Sequence, residues 1–206
     1  DLETPNINAK ISAAIGSLVY AFSDSFWFSA VEGEVYAMSS FFTALVFWSI
    51  VKWEHASDTN AKSNRWLIFI AYLIGLSIGV HLLSLLVIPA IVLTYYFKKY
   101  VFSIKGFMIA NSIAIILLGL IYNIIIPEFV NIAGKFEIFF VNEMSLPFNS
   151  GTLFFFLATI SIIIYGLYYS TKNEYYNLNT SILACTFLLI GYMSFFTLII
   201  RSNANT

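Results

Sequence analysis

From residue 66 to residue 97 the chain carries no Asp, Glu, Lys or Arg. A helical bilayer crossing needs about 20 apolar residues, so this run is longer than one crossing requires. Backbone buried in lipid must satisfy its own hydrogen bonds, which confines such a segment to membrane helices packed against others. The rest of the chain repeats the pattern: 60% of its residues are hydrophobic and 10% charged, and mean hydropathy is +0.85. Hydropathy therefore outweighs what 206 residues would suggest for soluble domains. The expected fold is an all-α, polytopic helical membrane protein. It would have about seven transmembrane helices and an external interfacial helix, in a single transmembrane domain over residues 1–206.

The expected spans are residues 11–26, 35–53, 66–79, 80–97, 106–126, 152–169 and 181–200. Gly75, Gly79 and His81 divide the long run into a tight pair, and Pro89 is expected to kink its second half. Gly75-Leu-Ser-Ile-Gly79 is a small-xxx-small pattern that permits close helix approach. Trp27, Trp48, Trp53, Trp66, Tyr95, Tyr96 and Tyr100 fall near span boundaries, where amphipathic rings favour the headgroup region. Residues 127–151 bring Phe129, Ile132, Phe136 and Phe139 or Phe140 to one helical face, with Glu128, Asn131, Lys135 and Asn142 opposite. This pattern predicts an amphipathic helix lying on the outer membrane surface.

Positive charge sets the expected orientation. With the amino terminus in the cytoplasm, Lys10, Lys52, Lys62, Arg65, Lys98, Lys99, Lys105 and Lys172 lie inside, and Lys135 and Arg201 lie outside. The net charge of -1 offers no basic face to nucleic acid. The single Cys185 excludes an internal disulfide and a cysteine-rich metal site. There is no phosphate-cradling loop with Lys, no His-Glu-x-x-His zinc pair and no Gly-x-Ser-x-Gly elbow. His55, beside Glu54 and Asp58, reads as part of a solvated turn.

Residues 23–36 place Asp24, Glu32 and Glu34 between two apolar segments, where carboxylates are costly unless paired, hydrated or used. Charges at the mouth of a helical hairpin would explain them as well as chemistry would. The runs SFWFSAVEGEVYAMSSFFTALVFW and GLSIGVHLLSLLVIPAI resemble the bacterial membrane-protein family related to protein O-mannosyltransferases. That family belongs to the GT-C class of glycosyltransferases, and the similarity extends from about Ile11 to the last residue. In the family a further span and an acidic first external loop precede this region, so the chain is expected to be the middle portion of a longer enzyme.

The resemblance implies a partial GT-C-type bundle in the bacterial inner membrane. It also implies transfer of a hexose from a polyprenyl-phosphate-linked donor to a protein Ser or Thr on the external face. Such transfer needs a base for the acceptor hydroxyl, cationic or donor groups around the departing phosphate, and a lipid groove. With the usual base on the preceding loop, Glu34 and Glu32 become the candidate catalytic acids, positioning the acceptor or holding a divalent cation. Glu32 and Tyr36 are four apart and would share a helix face. His81, Arg201, Tyr36 and Trp27 are the candidate substrate-binding residues. A lone histidine such as His81 is more often a hydrogen-bonded structural residue, Arg201 also reads as a snorkelling helix end, and Asp24 reads as a helix cap ahead of any catalytic role. No protein metal site is expected; the expected partners are membrane lipid, the lipid-linked sugar and an acceptor protein. The rival readings are an ion- or solute-transporter subunit, with Asp24, Glu32 and His81 along an ion path, and a non-catalytic membrane scaffold.

Overall fold

The computed structural model describes residues 6–32, 35–57 and 63–194. Among them every regular element is helical and there is no strand. Helix α1 (Ile7–Ala21) starts at Asn6, whose side chain accepts the Asn8 N–H at 3.3 Å. The chain restarts at Ser23, whose backbone is extended (φ −70, ψ 142) and whose Oγ accepts the Phe26 N–H at 3.4 Å. Ser23 thus supplies the cap expected of Asp24, and Asp24 adds its carboxylate to the first turn of α2 (Asp24–Val31), where the helix dipole favours it. What hydropathy reads as one first span is two short helices.

Helices α3 (Tyr36–Ala56) and α4 (Arg65–Val80) follow. The long apolar run breaks at His81, whose extended backbone (φ −160, ψ 129) ends α4. A 3-10 turn, Leu82–Val87, then leads into α5 (Ile88–Lys99). Pro89 sits in the first turn of α5, where its missing N–H has no partner to lose, so it starts a helix instead of kinking one.

Beyond the link, α6 (Ile104–Leu120) passes through a π-turn, Ile121–Ile125, directly into α7 (Ile126–Ile138). The Ile126 N–H bonds back to the Ile121 carbonyl, five residues behind. That widened turn accommodates Pro127, whose ring would clash with an ordinary α-helical ladder. A second π-turn, Phe139–Glu143, follows; α8 (Ser150–Lys172) and α9 (Tyr176–Met193) are the last described elements.

Two expectations are corrected here. Among the described residues three helices are long and apolar enough to cross a membrane, Leu82–Lys99, Ile104–Glu143 and Ser150–Lys172, or four segments if α2 and α3 form one broken span. About seven crossings are therefore not supported. At 1.5 Å per residue, α1 with 15 residues and α4 with 16 reach only about 24 Å against a hydrocarbon core of about 30 Å. The second correction is that residues 127–151 form no separate helix on the outer surface. Ile104–Glu143 is one helix of 40 residues, about 60 Å long and twice the hydrocarbon thickness. The phenylalanine stripe meets another helix: Phe129 lies 5.2 Å from Phe155, Phe136 lies 5.5 Å from Phe154, and Phe140 lies 5.1 Å from Phe154. An amphipathic pattern specifies an apolar neighbour, and here that neighbour is α8.

The α7–α8 hairpin is closed by Glu137, whose carboxylate accepts the Asn149 and Thr152 N–H groups and the Thr152 hydroxyl. Asn149, in the left-handed region (φ 71), makes no side-chain cap, so Glu137 reaches across to do it. Gly151 lies so close to the Phe136 carbonyl that a Cβ would overlap it.

The core gathers α3, α4, the 3-10 turn, α5 and α9 around Val46, Ile50, Trp53, Ile74, Leu85 and Leu188. In lipid, helices gain little from hydrophobic transfer against one another, so close packing of small residues must hold them together. Helices α4 and α9 meet through Gly75 and Gly191: a Cβ on Gly191 would lie 2.5 Å from the Tyr72 carbonyl oxygen, and one on Gly75 would overlap the Leu188 carbonyl.

Contacts along this bundle define two ends. At one end Lys98 pairs with Glu54 at 3.3 Å and the Lys99 ammonium sits 5.9 Å over the Trp53 ring. Lys52 lies over Trp48, which in turn meets Trp66 beside Arg65. His55 belongs to the last turn of α3, where its Nδ1 lies 2.8 Å from the Val51 carbonyl oxygen. The amino terminus of α3 and the break at His81 form the opposite end.

Candidate functional site

At the end away from the lysines, two pairs of side chains face each other. On α3, Tyr36 and Ser39 are three apart and share a face. Across from them, His81 and Ser84 are also three apart, and a 3-10 turn eclipses residues at that spacing. The pairs therefore meet in register: the Tyr36 and His81 ring centroids are 5.5 Å apart at 42°, and the Ser39 and Ser84 hydroxyls are 2.9 Å apart. Ser84 is buried at 4% exposure, and His81 and Ser39 are partly buried.

His81 is held by its own backbone. Its N–H donates to the Ser77 carbonyl at 2.8 Å, and its Nδ1 accepts the Leu83 N–H at 3.0 Å. The structural reading of this residue is thus realised: it terminates one helix and caps the next. That same bond assigns the proton of the neutral ring to Nε2, which is left to donate outward. Tyr36 is 43% exposed beside it, so an imidazole N–H and a phenol can act together on an oxyanion.

The other expected residues are not gathered here. Glu32 ends α2 with extended backbone (φ −65, ψ 137), so it and Tyr36 belong to different helices. The shared face expected from their spacing of four fails for that reason, since the rule holds only within one helix. Trp27 stands 56% exposed on α2 and makes no ring contact among the described residues. Glu34 and Arg201 lie outside the described residues. Among those residues no group of three His, Cys, Asp or Glu side chains gathers that could hold a cation.

Sequence reasoning passed over Ser39 and Ser84. The signal was present in their spacing, because each lies three residues after a singled-out residue, Tyr36 and His81.

Residues 2–103 match the family model described as Protein O-mannosyl-transferase TMEM260 N-terminal domain. No curated protein and no solved structure matches the chain. The resemblance to protein O-mannosyltransferases therefore holds for this part of the chain, and it supports a glycosyltransferase-related role. The matched residues take in Trp27, Glu32, Tyr36, His81 and both serines, and stop at the link before α6.

Proposed function

We propose that the chain is the central membrane portion of an inverting GT-C glycosyltransferase; the match of residues 2–103 to an N-terminal domain of a protein O-mannosyltransferase supports the glycosyltransferase part of that reading. The donor is a polyprenyl-phosphate-linked hexose and the acceptor a protein Ser or Thr. In this reading the membrane is a bacterial inner membrane with the amino terminus cytoplasmic and the His81 end outward, an orientation favoured by the lysines at the other end. The observation that carries the reading is the facing of Tyr36 and His81 within the matched region, at the end opposite Lys98 and Lys99.

A lipid-linked donor presents its phosphate near the headgroups. There the His81 Nε2–H and the Tyr36 hydroxyl donate to the oxygens whose charge grows as the sugar leaves. Glu34, two residues before Tyr36, orients the acceptor hydroxyl or a cation, with Glu32 as a supporting acid. The base that takes the acceptor proton comes from the acidic external loop that precedes this region in the family. Trp27 and Arg201 are the outer contacts for the sugar and the phosphate. Arg offers a bidentate fork to the latter.

The test is transfer from a synthetic polyprenyl-phosphate sugar by the full-length enzyme. Glu34→Gln should lower transfer by about 10- to 1000-fold, the range of a single electrostatic catalytic group. His81→Ala should mainly raise the donor KM. Near-normal transfer by a well-folded Glu34→Gln enzyme would reduce that residue to a structural charge. An unchanged donor KM in His81→Ala would remove the phosphate role.

A further inference from the structure

A second feature of the bundle lies at its lysine-rich end. The last two turns of α5 and the first turns of α6 enclose a groove of about 520 Å³, within the range of small-molecule sites. Ile91, Val92, Ile109 and Ile113 form its walls, and Tyr95 and Tyr100 stand at its end. Its floor is fixed: Tyr96, 8% exposed, accepts the Ser103 N–H on its hydroxyl at 2.9 Å and so ties α5 to the start of α6. Gly106 makes that approach possible, since a Cβ there would lie 2.5 Å from the Tyr96 hydroxyl.

The charges around the link between α5 and α6 are of one sign. Lys99 in the last turn of α5 and Lys105 in the first turn of α6 flank the link, and both are exposed. No Asp or Glu occurs between residue 59 and residue 127. The acid that faces this end from α3, Glu54, is taken up by Lys98, whose side chain is 17% exposed. Lys99 and Lys105 stand at the boundary of the span Leu82–Lys99 and adjoin in sequence the groove residues Tyr100 and Gly106.

We infer that this groove binds an anionic phospholipid of the bilayer, one acyl chain lying along α5 and α6 and its phosphate between Lys99 and Lys105. Basic pockets between membrane helices hold anionic headgroups in this way, and each juxtamembrane lysine strengthens the attraction. Tyr95 and Tyr100 suit the same depth, with ring in the apolar region and hydroxyl at the headgroups. The site lies at the opposite end of α5 from His81, so it is independent of the donor phosphate.

The experiment is native mass spectrometry and thermal melting of the full-length chain released from bilayers of equal phosphatidylglycerol and phosphatidylcholine. Phosphatidylglycerol should be retained in preference and should raise the melting temperature. Lys99→Gln with Lys105→Gln should weaken its binding about 25-fold, taking about fivefold for each lysine. The Lys→Arg pair should keep the selectivity. Ile113→Trp, at a wall position that is 51% exposed, should expel the lipid without disturbing the core. Equal retention of the two lipids, or undiminished selectivity in the Gln pair or in Ile113→Trp, would overturn the inference. Displacement by inorganic phosphate would overturn the acyl-chain contribution. Displacement by polyprenyl phosphate at equal concentration would reassign the groove to the donor.

Discussion

The contact between α4 and α9 offers a quantitative test, because both helices present backbone where one methyl group would have to go. A Cβ added at Gly191 would lie 2.5 Å from the Tyr72 carbonyl oxygen and 2.8 Å from the Leu76 nitrogen, whereas ordinary contact begins at 3.4 Å. Neither atom belongs to a side chain that can swing away, so Gly191→Ala must push the helices apart by about 0.9 Å, the difference of 3.4 and 2.5. A radial gap of that size forfeits between a quarter and a half of the dispersion attraction along the interface. Overpacking of this kind costs about 1–3 kcal/mol, offset by roughly 1 kcal/mol of better helix propensity for alanine. We expect a net loss of up to about 2 kcal/mol, against a gain of up to about 1 kcal/mol where propensity acts alone. Gly119→Ala is the control: a Cβ there meets nothing within 4 Å, so propensity acts alone and stability should hold or rise. The assay is thermal unfolding of purified Gly191→Ala and Gly119→Ala in detergent. Equal melting of Gly191→Ala and Gly119→Ala would refute the close-packed interface.

Glu137→Gln should loosen the α7–α8 hairpin, because a neutral amide is a weaker acceptor for the Asn149 and Thr152 amides; faster hydrogen exchange at those two amides is the readout. Ser39→Ala and Ser84→Ala should each cost about 1–2 kcal/mol, and the double variant should cost less than their sum, because they remove one shared hydrogen bond; strict additivity in unfolding measurements would exclude that bond. In a Cys185→Ser background, cysteines at Ser57 and Ser145 should be labelled from opposite sides of the membrane, since one lies at the Glu54–Lys98 end and the other at the tip of the α7–α8 hairpin; labelling from one side would overturn the topology.

The environment of this protein was legible in its sequence, because apolarity is a property of single residues summed over a window. An uncharged run from 66 to 97 can be stable only as helix in lipid or in a core, whatever else the chain does. Local chemistry placed the break in that run as well: glycines and a histidine ahead of Pro89 mark where one helix must stop and another begin, and the chain turns at His81. What residues could not disclose is the identity of their neighbours. The phenylalanines of α7 announce an apolar partner, but lipid and the α8 face satisfy the same pattern, and only the fold chose Phe154 and Phe155. Gly75 was visible as a site of close approach within its own glycine pattern. Its counterpart is Gly191, more than a hundred residues away, where no spacing rule reaches. The facing of Tyr36 with His81 and of Ser39 with Ser84 is of the same kind. Each residue is ordinary within its own segment, and the site exists because two turns of helix, 45 residues apart at the serines, meet in register.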